Sequence, residues 1–199
     1  MRIVRALAVS IVVAGFSIGL MLAQGGGGGK GGGRGKGGGG GIPANMTLTV
    51  AGYPDGGAIP DSVGCKGGQK GNPKIDWTGA PAGTMAFAII MHDTDVAIQG
   101  SDVLHWAIFD IPGTATGVAG DLPKTANLPD GSVQINNIAG MPGFYSPCPP
   151  APTVHHYIIE LYALDAKLGI PASSSRADLQ AALAMHTRAK GTYVGTYHQ

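Results

Sequence analysis

The chain has 199 residues, and its 13 lysine and arginine side chains nearly balance its 12 aspartate and glutamate side chains. All 12 acidic residues but only 8 of the 13 basic residues follow position 41. The last 199 − 41 = 158 residues therefore have a formal charge of 8 − 12 = −4, which argues against nucleic acid as the main partner. Their number predicts one domain of ordinary size over residues 42–199.

The first 24 residues have the pattern of a signal peptide. Arg2 and Arg5 precede residues 6–22, a run without charged side chains, and this order is typical of secretory signals. The run is slightly shorter than the ~20 apolar residues of a membrane-spanning helix. We therefore predict a cleaved signal over residues 1–24 and an exported domain, periplasmic or secreted. A retained membrane anchor over residues 6–22 is the alternative.

Residues 25–41 are glycine at every position except Lys30, Arg34 and Lys36. Glycine loses the most backbone entropy on ordering, and this tract has no apolar side chain to offset that loss. It is therefore predicted to be a flexible linker between the N-terminal segment and the domain.

The domain is predicted to be mainly β. Residues 46–50 alternate threonine with apolar side chains, as in a half-buried strand, and residues 85–91 form an apolar run typical of a central strand. Glycine and proline clusters, not long amphipathic helices, separate such segments, which favours a sandwich. We predict strands at residues 46–50, 74–77, 85–91, 104–111, 156–164 and 192–197.

One helix is predicted near the C-terminus. Ser175 and Asp178 have the spacing of a capping box, and Leu183 lies on an apolar face of the following segment. Lys190 in the last turn and Gly191 just beyond it are typical of a helix C-terminus.

Three polar clusters occur at the ends of predicted strands: residues 92–95, His105 and residues 155–157. If those strands are neighbours, the clusters converge on one concave site. Imidazole and tyrosine groups there could donate hydrogen bonds to an anion, and a carboxylate could orient one imidazole. The histidines outside this set, His92, His186 and His198, are interpreted as ordinary core or surface residues.

Other kinds of site find less support. Aspartate and histidine are metal ligands, but no HxH or HExxH spacing occurs, so we predict no metal site and no cofactor. Ser146 could serve a hydrolase, but prolines replace the glycines of a nucleophile elbow, so no catalytic residue is assigned. Cys65 and Cys148 form no CxxC pair; in an exported protein they are either a disulfide or two free thiols.

Five segments occur in order along the domain: Cys65-Lys66-Gly67-Gly68 with residues 73–77, Asp93-Thr94-Asp95, His105-Trp106 leading to Ile111-Pro112, GFYSPCPP at residues 143–150, and His155-His156-Tyr157 followed by LYALD at residues 161–165. Together they resemble the phosphatidylethanolamine-binding protein family, especially its bacterial, Raf-kinase-inhibitor-like branch. The resemblance extends over about residues 46–197.

The resemblance implies a Greek-key β-sandwich with a C-terminal helix and a pocket for phosphate or a phosphoryl head group. The partner it implies is thus a small anionic ligand or a phospholipid head group. A homodimer, and proximity to a membrane through the N-terminal segment, are left open. The implied ligand-binding residues are Asp93, His105, Tyr145, Pro147, Pro149, His155 and Tyr157.

Four positions differ from the family pattern: Thr94 replaces a proline, Asp110 an asparagine, Ser146 a glycine and His156 an arginine. We therefore expect ligand identity to be the property most open to change. The leading hypothesis is a non-enzymatic ligand-binding protein. The alternatives are an interaction or inhibitor domain that uses the same pocket, and a hydrolase.

Overall fold

The computed structural model describes residues 46–68, 70–98 and 100–199. The signal peptide or anchor predicted over residues 1–24 and the linker predicted over residues 25–41 lie outside the described residues. The elements are β1 (Thr47–Val50), β2 (Gly57–Ala58), a 3-10 turn (Cys65–Gly67), β3 (Ile75–Thr78), β4 (Ala86–Ile98), β5 (Ser101–Pro112), β6 (Gly117–Val118), β7 (Val133–Gln134), β8 (Val154–Leu164), α1 (Arg176–His186) and β9 (Thr187–His198).

The strands form two sheets. The smaller sheet has the order β1-β3-β6, and the larger has the order β2-β9-β8-β4-β5-β7. All strand pairs are antiparallel except β2 with β9. The predicted mainly β sandwich with a C-terminal helix is confirmed. Among the described residues, no helix has the length and apolar character needed to cross a membrane.

The larger sheet is covered on both faces. Successive side chains of a strand point to opposite faces, so Ile89 of β4 packs in a core that includes Trp77 of the smaller sheet. Its neighbour Ile90 packs in a second core with Leu179 and Leu183 of α1. This double burial explains why residues 85–91 are apolar without alternation.

The strand predicted at residues 85–91 is longer than expected. β4 continues to Ile98 and forms a hairpin with β5, which itself begins at Ser101. The prediction that residues 92–95 follow the end of the strand is therefore wrong. The strand does not end at His92, because the backbone there keeps partners on both sides: Asp93 lies opposite Tyr157 of β8 and Val103 of β5, and pairing with β5 resumes at Ala97.

The helix begins as predicted. The Ser175 side chain accepts a hydrogen bond from the backbone N–H of Asp178, and the Asp178 carboxylate accepts one from the Ser175 N–H at 2.9 Å. The predicted end is wrong, because α1 ends at His186 and the last strand begins at Thr187, not at residue 192.

Lys190 and Gly191 lie in β9 and do not terminate the helix. A Cβ atom at Gly191 would lie 2.3 Å from Cδ1 of Leu48 and 2.7 Å from the carbonyl oxygen of Met46. Glycine is required there because the N-terminal strand region packs closely against β9. The Lys190 ammonium pairs with Glu160 of the adjacent strand at 2.7 Å.

Candidate functional site

The polar clusters meet at one end of three adjacent strands. β4 lies between β5 and β8, as the convergence of the clusters required. Asp93 of β4 is in register with Tyr157 of β8, and His155 precedes Tyr157 by two residues on the same strand. The site is therefore held by the central strands of the larger sheet.

His105 owes its position to a β-bulge. Met91 pairs with Trp106 and the next residue of β4, His92, pairs with Leu104, so His105 is the additional residue of β5. A bulge bends the strand locally and changes the direction of the side chain it carries. It allows His105 to face the site while Trp106 remains in the core.

The His105 ring is fixed by the loop that follows β7. Its Nδ1 lies 2.9 Å from the Tyr145 carbonyl oxygen, and the Tyr145 N–H donates to the His105 carbonyl oxygen at 2.9 Å. His105 is 4% exposed. This burial lowers the pKa of His105 below its ordinary value, because a low dielectric disfavours the charged ring.

Asp93 orients the second histidine. One oxygen of its carboxylate lies 2.7 Å from Nδ1 of His155, and the other accepts the Asp95 N–H at 3.0 Å. Nε2 of His155 lies 3.3 Å from Oγ1 of Thr153, whose hydroxyl donates to the Pro150 carbonyl. Because a hydroxyl has one hydrogen, Thr153 presents a lone pair to His155.

Tyr157 lies beside both histidine and carboxylate groups. Its ring meets the His105 ring edge to face, with centroids 5.1 Å apart. Burial, reinforced by the charge of Asp93, raises the pKa of Tyr157 well above its ordinary value. The Asp93 carboxylate and the Cys148 backbone N–H both act on its hydroxyl, although within the described residues it forms no hydrogen bond of good geometry. It is a protonated group at the wall of the site.

A disulfide anchors the proline-rich loop. The structure joins Cys65 to Cys148, with Cα atoms 5.3 Å apart, and the Cys65 N–H donates to the Pro147 carbonyl at 2.9 Å. Phe144 at the start of the same loop packs edge to face on Trp106, with centroids 6.0 Å apart. These contacts fix the loop as one wall of the site.

The site borders an open cavity with a volume of about 250 Å³. All but one of the predicted site residues line it; the exception is Pro147, whose carbonyl instead bonds to the 3-10 turn. Among the described residues, no group of three or more histidine, cysteine, aspartate and glutamate side chains is arranged to hold a metal ion. The predicted residues in the wall are Asp93, His105, Tyr145, Pro149, His155 and Tyr157.

The cavity also has walls that are absent from the predicted site. Ile138 and Ala139 come from a segment without recognisable motif, and Val96 and Val103 come from the extended part of the β4–β5 hairpin. Apolar side chains of this kind have no distinguishing pattern in the sequence. The remaining additions are Cys148 and Pro150, which the loop at residues 143–150 already contained.

None of the four departures from the family pattern lines the cavity, and two of them form hydrogen bonds that involve backbone groups. The His156 N–H donates to the Asp95 carboxylate at 2.5 Å, and its Nδ1 lies 3.0 Å from the same oxygen. The backbone hydrogen bond from His156 lowers the pKa of Asp95. Asp110 has a positive φ of 57° and accepts the N–H groups of Leu168 and Gly169 at 2.6 and 3.0 Å. Both residues stabilise the backbone.

A larger cavity of about 430 Å³ is lined mainly by apolar residues, among them Ile108, Val118 and Leu128. Its charged residue is Asp130, whose carboxylate accepts the Ser132 N–H at 3.0 Å. No histidine or tyrosine lines it. Because specific sites need convergent polar groups, the smaller cavity is the better candidate.

Comparisons with known proteins agree with this fold. A family model described as phosphatidylethanolamine-binding protein matches residues 50–198. A UPF0098 protein of Methanothermobacter thermautotrophicus is 36% identical over 154 residues, which cover 77% of this chain and 99% of that protein. LppC of Mycobacterium tuberculosis, named as a lipoprotein, is 32% identical over 159 residues, covering 78% of this chain and 74% of LppC.

Among solved structures, Escherichia coli YbcL, described as a member of the mammalian phosphatidylethanolamine-binding protein family, aligns with a TM-score of 0.71 and 31% identity. The alignment covers 78% of this chain and 99% of YbcL. The family model matches well over half of the chain, and the described elements have the same fold as YbcL. This chain therefore belongs to the phosphatidylethanolamine-binding protein family.

Proposed function

We propose that this chain is an exported, non-enzymatic binding protein whose smaller cavity holds phosphate or a phosphoryl head group. The main support is the convergence of Asp93, His105, His155 and Tyr157, all buried, on one cavity. Buried polar side chains without an internal partner are unfavourable unless a ligand or water satisfies them. The Tyr157 hydroxyl is only weakly satisfied, by the Asp93 carboxylate and the Cys148 N–H.

The size of the cavity limits the ligand. Sites for drug-sized molecules have volumes of about 300–1,000 Å³, whereas this cavity has about 250 Å³. A phosphoryl group with a short substituent is a better match to this volume than a whole phospholipid. We therefore propose that the cavity takes only the head group when the ligand is a lipid.

Binding without catalysis is favoured over hydrolysis. A hydrolase of this kind would need a nucleophile activated by the His155–Asp93 pair. Thr153 is close to His155, but its hydroxyl hydrogen is directed to the Pro150 carbonyl. Cys148 lines the cavity but is part of the disulfide. Neither side chain is placed to lose a proton to His155.

Export is supported by three observations. Residues 6–22 lack charges and follow Arg2 and Arg5, and a disulfide is typical of proteins in oxidising compartments. The relative LppC is named as a lipoprotein. We propose that the domain acts outside the cytoplasm, where it meets phosphoryl groups of lipids or free phosphate.

The test is a thermal-shift titration of the purified protein with phosphate and with phosphoethanolamine at millimolar concentration. We expect each ligand to raise Tm, because a ligand that binds only the folded state stabilises it. His105→Ala should remove the shift, while His186→Ala, at the far end of α1, should keep it. No shift with either ligand in the wild-type protein would reject the anion site.

A further inference from the structure

The proposed anion site contains a carboxylate–histidine pair. Among the described residues that line the cavity there is no lysine or arginine, and the Asp93 carboxylate lies 2.7 Å from Nδ1 of His155. A fully ionised anion would therefore meet this pair and no lysine or arginine side chain from these residues. The anion must therefore be held by hydrogen bonds, in which each donor of the protein faces an acceptor of the ligand and each acceptor of the protein faces a donor.

The direction of one such bond follows from the contact between His105 and Tyr145. A carbonyl oxygen only accepts hydrogen bonds, so the contact of 2.9 Å between Nδ1 and the Tyr145 carbonyl places the ring hydrogen on Nδ1. Nε2 of the neutral ring is then an acceptor. Within the described residues no hydrogen bond to Nε2 is formed, and the ring lines the cavity.

Burial keeps this ring neutral near neutral pH, because it lowers the pKa of His105. Several neighbours influence the protonation of His105 or contact its ring. They are Asp93 and His92 of β4, His155 and Tyr157 of β8, and Tyr145 of the loop. Asp93 favours the charged ring and the other histidines disfavour it, but burial is the largest effect.

The neighbouring Tyr157 is a donor. Its pKa is raised by burial, so it keeps its hydrogen, and its ring lies edge to face with His105 at 5.1 Å. The cavity therefore presents the acceptor of His105 beside a hydroxyl that keeps its hydrogen, and the ligand competes with the Asp93 carboxylate for that hydrogen. A complementary ligand has an oxygen that accepts from Tyr157 and a hydroxyl that donates to His105.

We propose that this cavity selects oxyanions that still carry a hydrogen, such as hydrogen phosphate or the singly ionised form of a phosphate monoester. Oxyanions without a hydrogen, such as sulfate, would place a lone pair against the lone pair of His105 Nε2. This selectivity rests on the proposed anion site and narrows its ligand class to free phosphate and phosphate monoesters, because the phosphodiester of a phospholipid head group has no such hydrogen. Leaving a buried acceptor unsatisfied weakens binding by roughly tenfold or more.

The first test is calorimetric titration of the purified protein with phosphate and sulfate at about pH 8 and about pH 5. At the higher pH we expect phosphate, which keeps one hydrogen, to bind roughly tenfold or more tightly than sulfate. At the lower pH phosphoethanolamine keeps a hydrogen, so its affinity should approach that of phosphate. Phosphoethanolamine, a monoester that loses its last hydrogen above about pH 6, should resemble sulfate at the higher pH.

The matched variant is His105→Gln, whose amide can turn to present either a donor or an acceptor. We expect it to bind phosphate but to lose the preference over sulfate. Ring-nitrogen NMR shifts of the wild-type protein provide a test that needs no variant, since they report directly whether His105 carries its hydrogen on Nδ1.

The outcomes separate the two proposals. Binding of neither anion at either pH would reject the anion site itself. Equal affinities for phosphate and sulfate at the higher pH would leave the anion site intact and overturn the selectivity. A His105 ring with its hydrogen on Nε2, or a His105→Gln variant with unchanged preference, would also overturn it.

Discussion

His92 and Asp93 are adjacent on β4 and both belong to histidine–aspartate pairs, but they lie on opposite faces of the larger sheet. Asp93 pairs with His155 and borders the cavity. His92 is hydrogen-bonded through Nδ1 to Asp102 on the side of the sheet covered by α1. A histidine–aspartate pair thus lines a cavity on one face of the sheet, whereas on the other face such a pair is covered by α1.

Helix α1 explains why the His92–Asp102 pair is covered and the His155–Asp93 pair is not. Arg176 in the first turn of α1 forms an ion pair with the Asp102 carboxylate and donates to the Asp102 carbonyl at 2.7 Å. Although burial opposes it, hydrogen bonding to Arg176 and His92 lowers the pKa of Asp102. On the cavity face no such cation covers Asp93. A histidine–aspartate pair is therefore a candidate binding group only where the surrounding elements leave it accessible to a ligand.

The largest expected effect is on the cavity face. The disulfide between Cys65 and Cys148 closes a sequence separation of 83 residues, and loops of that length predict a stabilisation of about 4 kcal/mol. We expect the double variant Cys65→Ala/Cys148→Ala to lose about that much unfolding free energy in urea titration. Reduced wild-type protein is the control and should match the variant. Equal stability of oxidised wild type and variant would contradict the tethering role.

A helix-face variant should reduce stability without changing the ligand response. Leu179 is fully buried between α1 and the sheet, so Leu179→Ala should cost about 3 kcal/mol of unfolding free energy. Its increase in Tm with phosphate should equal that of the wild-type protein. Met185, which is 75% exposed on the same helix, is the control, and Met185→Ala should change stability by less than about 0.5 kcal/mol. Loss of the phosphate response in Leu179→Ala would contradict the separation of the two faces.

The smallest expected effect is acid sensitivity of the cavity face. The folded-state pKa of His105 lies below its ordinary value, so the unfolded state binds the proton more readily. Stability is therefore complete above about pH 6.5 and declines as the pH falls through that value towards the folded-state pKa. In urea titrations across this range, His105→Gln should decline less steeply than wild type. Parallel curves would show that His105 is not the group responsible.

The sequence was most informative where a local contact or a motif determines the structure. The capping box of Ser175 and Asp178 is a local arrangement, and the helix begins where it predicts. Most cavity residues were identified from the family resemblance together with the expectation that three polar clusters on neighbouring strands converge. Asp93 and His105, however, lie inside their strands and not at the ends. His155 and His156 differ in role because alternate residues of β8 face opposite sides, which places His155 and Tyr157 together.

Long-range contacts explain what could not be predicted. The sequence does not distinguish a Gly191 that ends a helix from a Gly191 that lies in a strand and is approached by Leu48. Ile138 reaches the cavity because its N–H donates to the Leu104 carbonyl of β5 at 2.9 Å. Neither contact leaves a local pattern, since both partners are distant in sequence.

The bulge in β5 places His105, a proposed binding residue, outside the regular pairing between β5 and β4. Trp106 and Leu104 pair with consecutive residues of β4, so a continuous ladder would need one residue fewer and would omit His105. His105 is therefore an additional residue in the pairing of β5 with β4, which has a second such irregularity between Ile108 and Ile111. Substitutions at this position can change what the protein binds while the flanking core residues keep their partners.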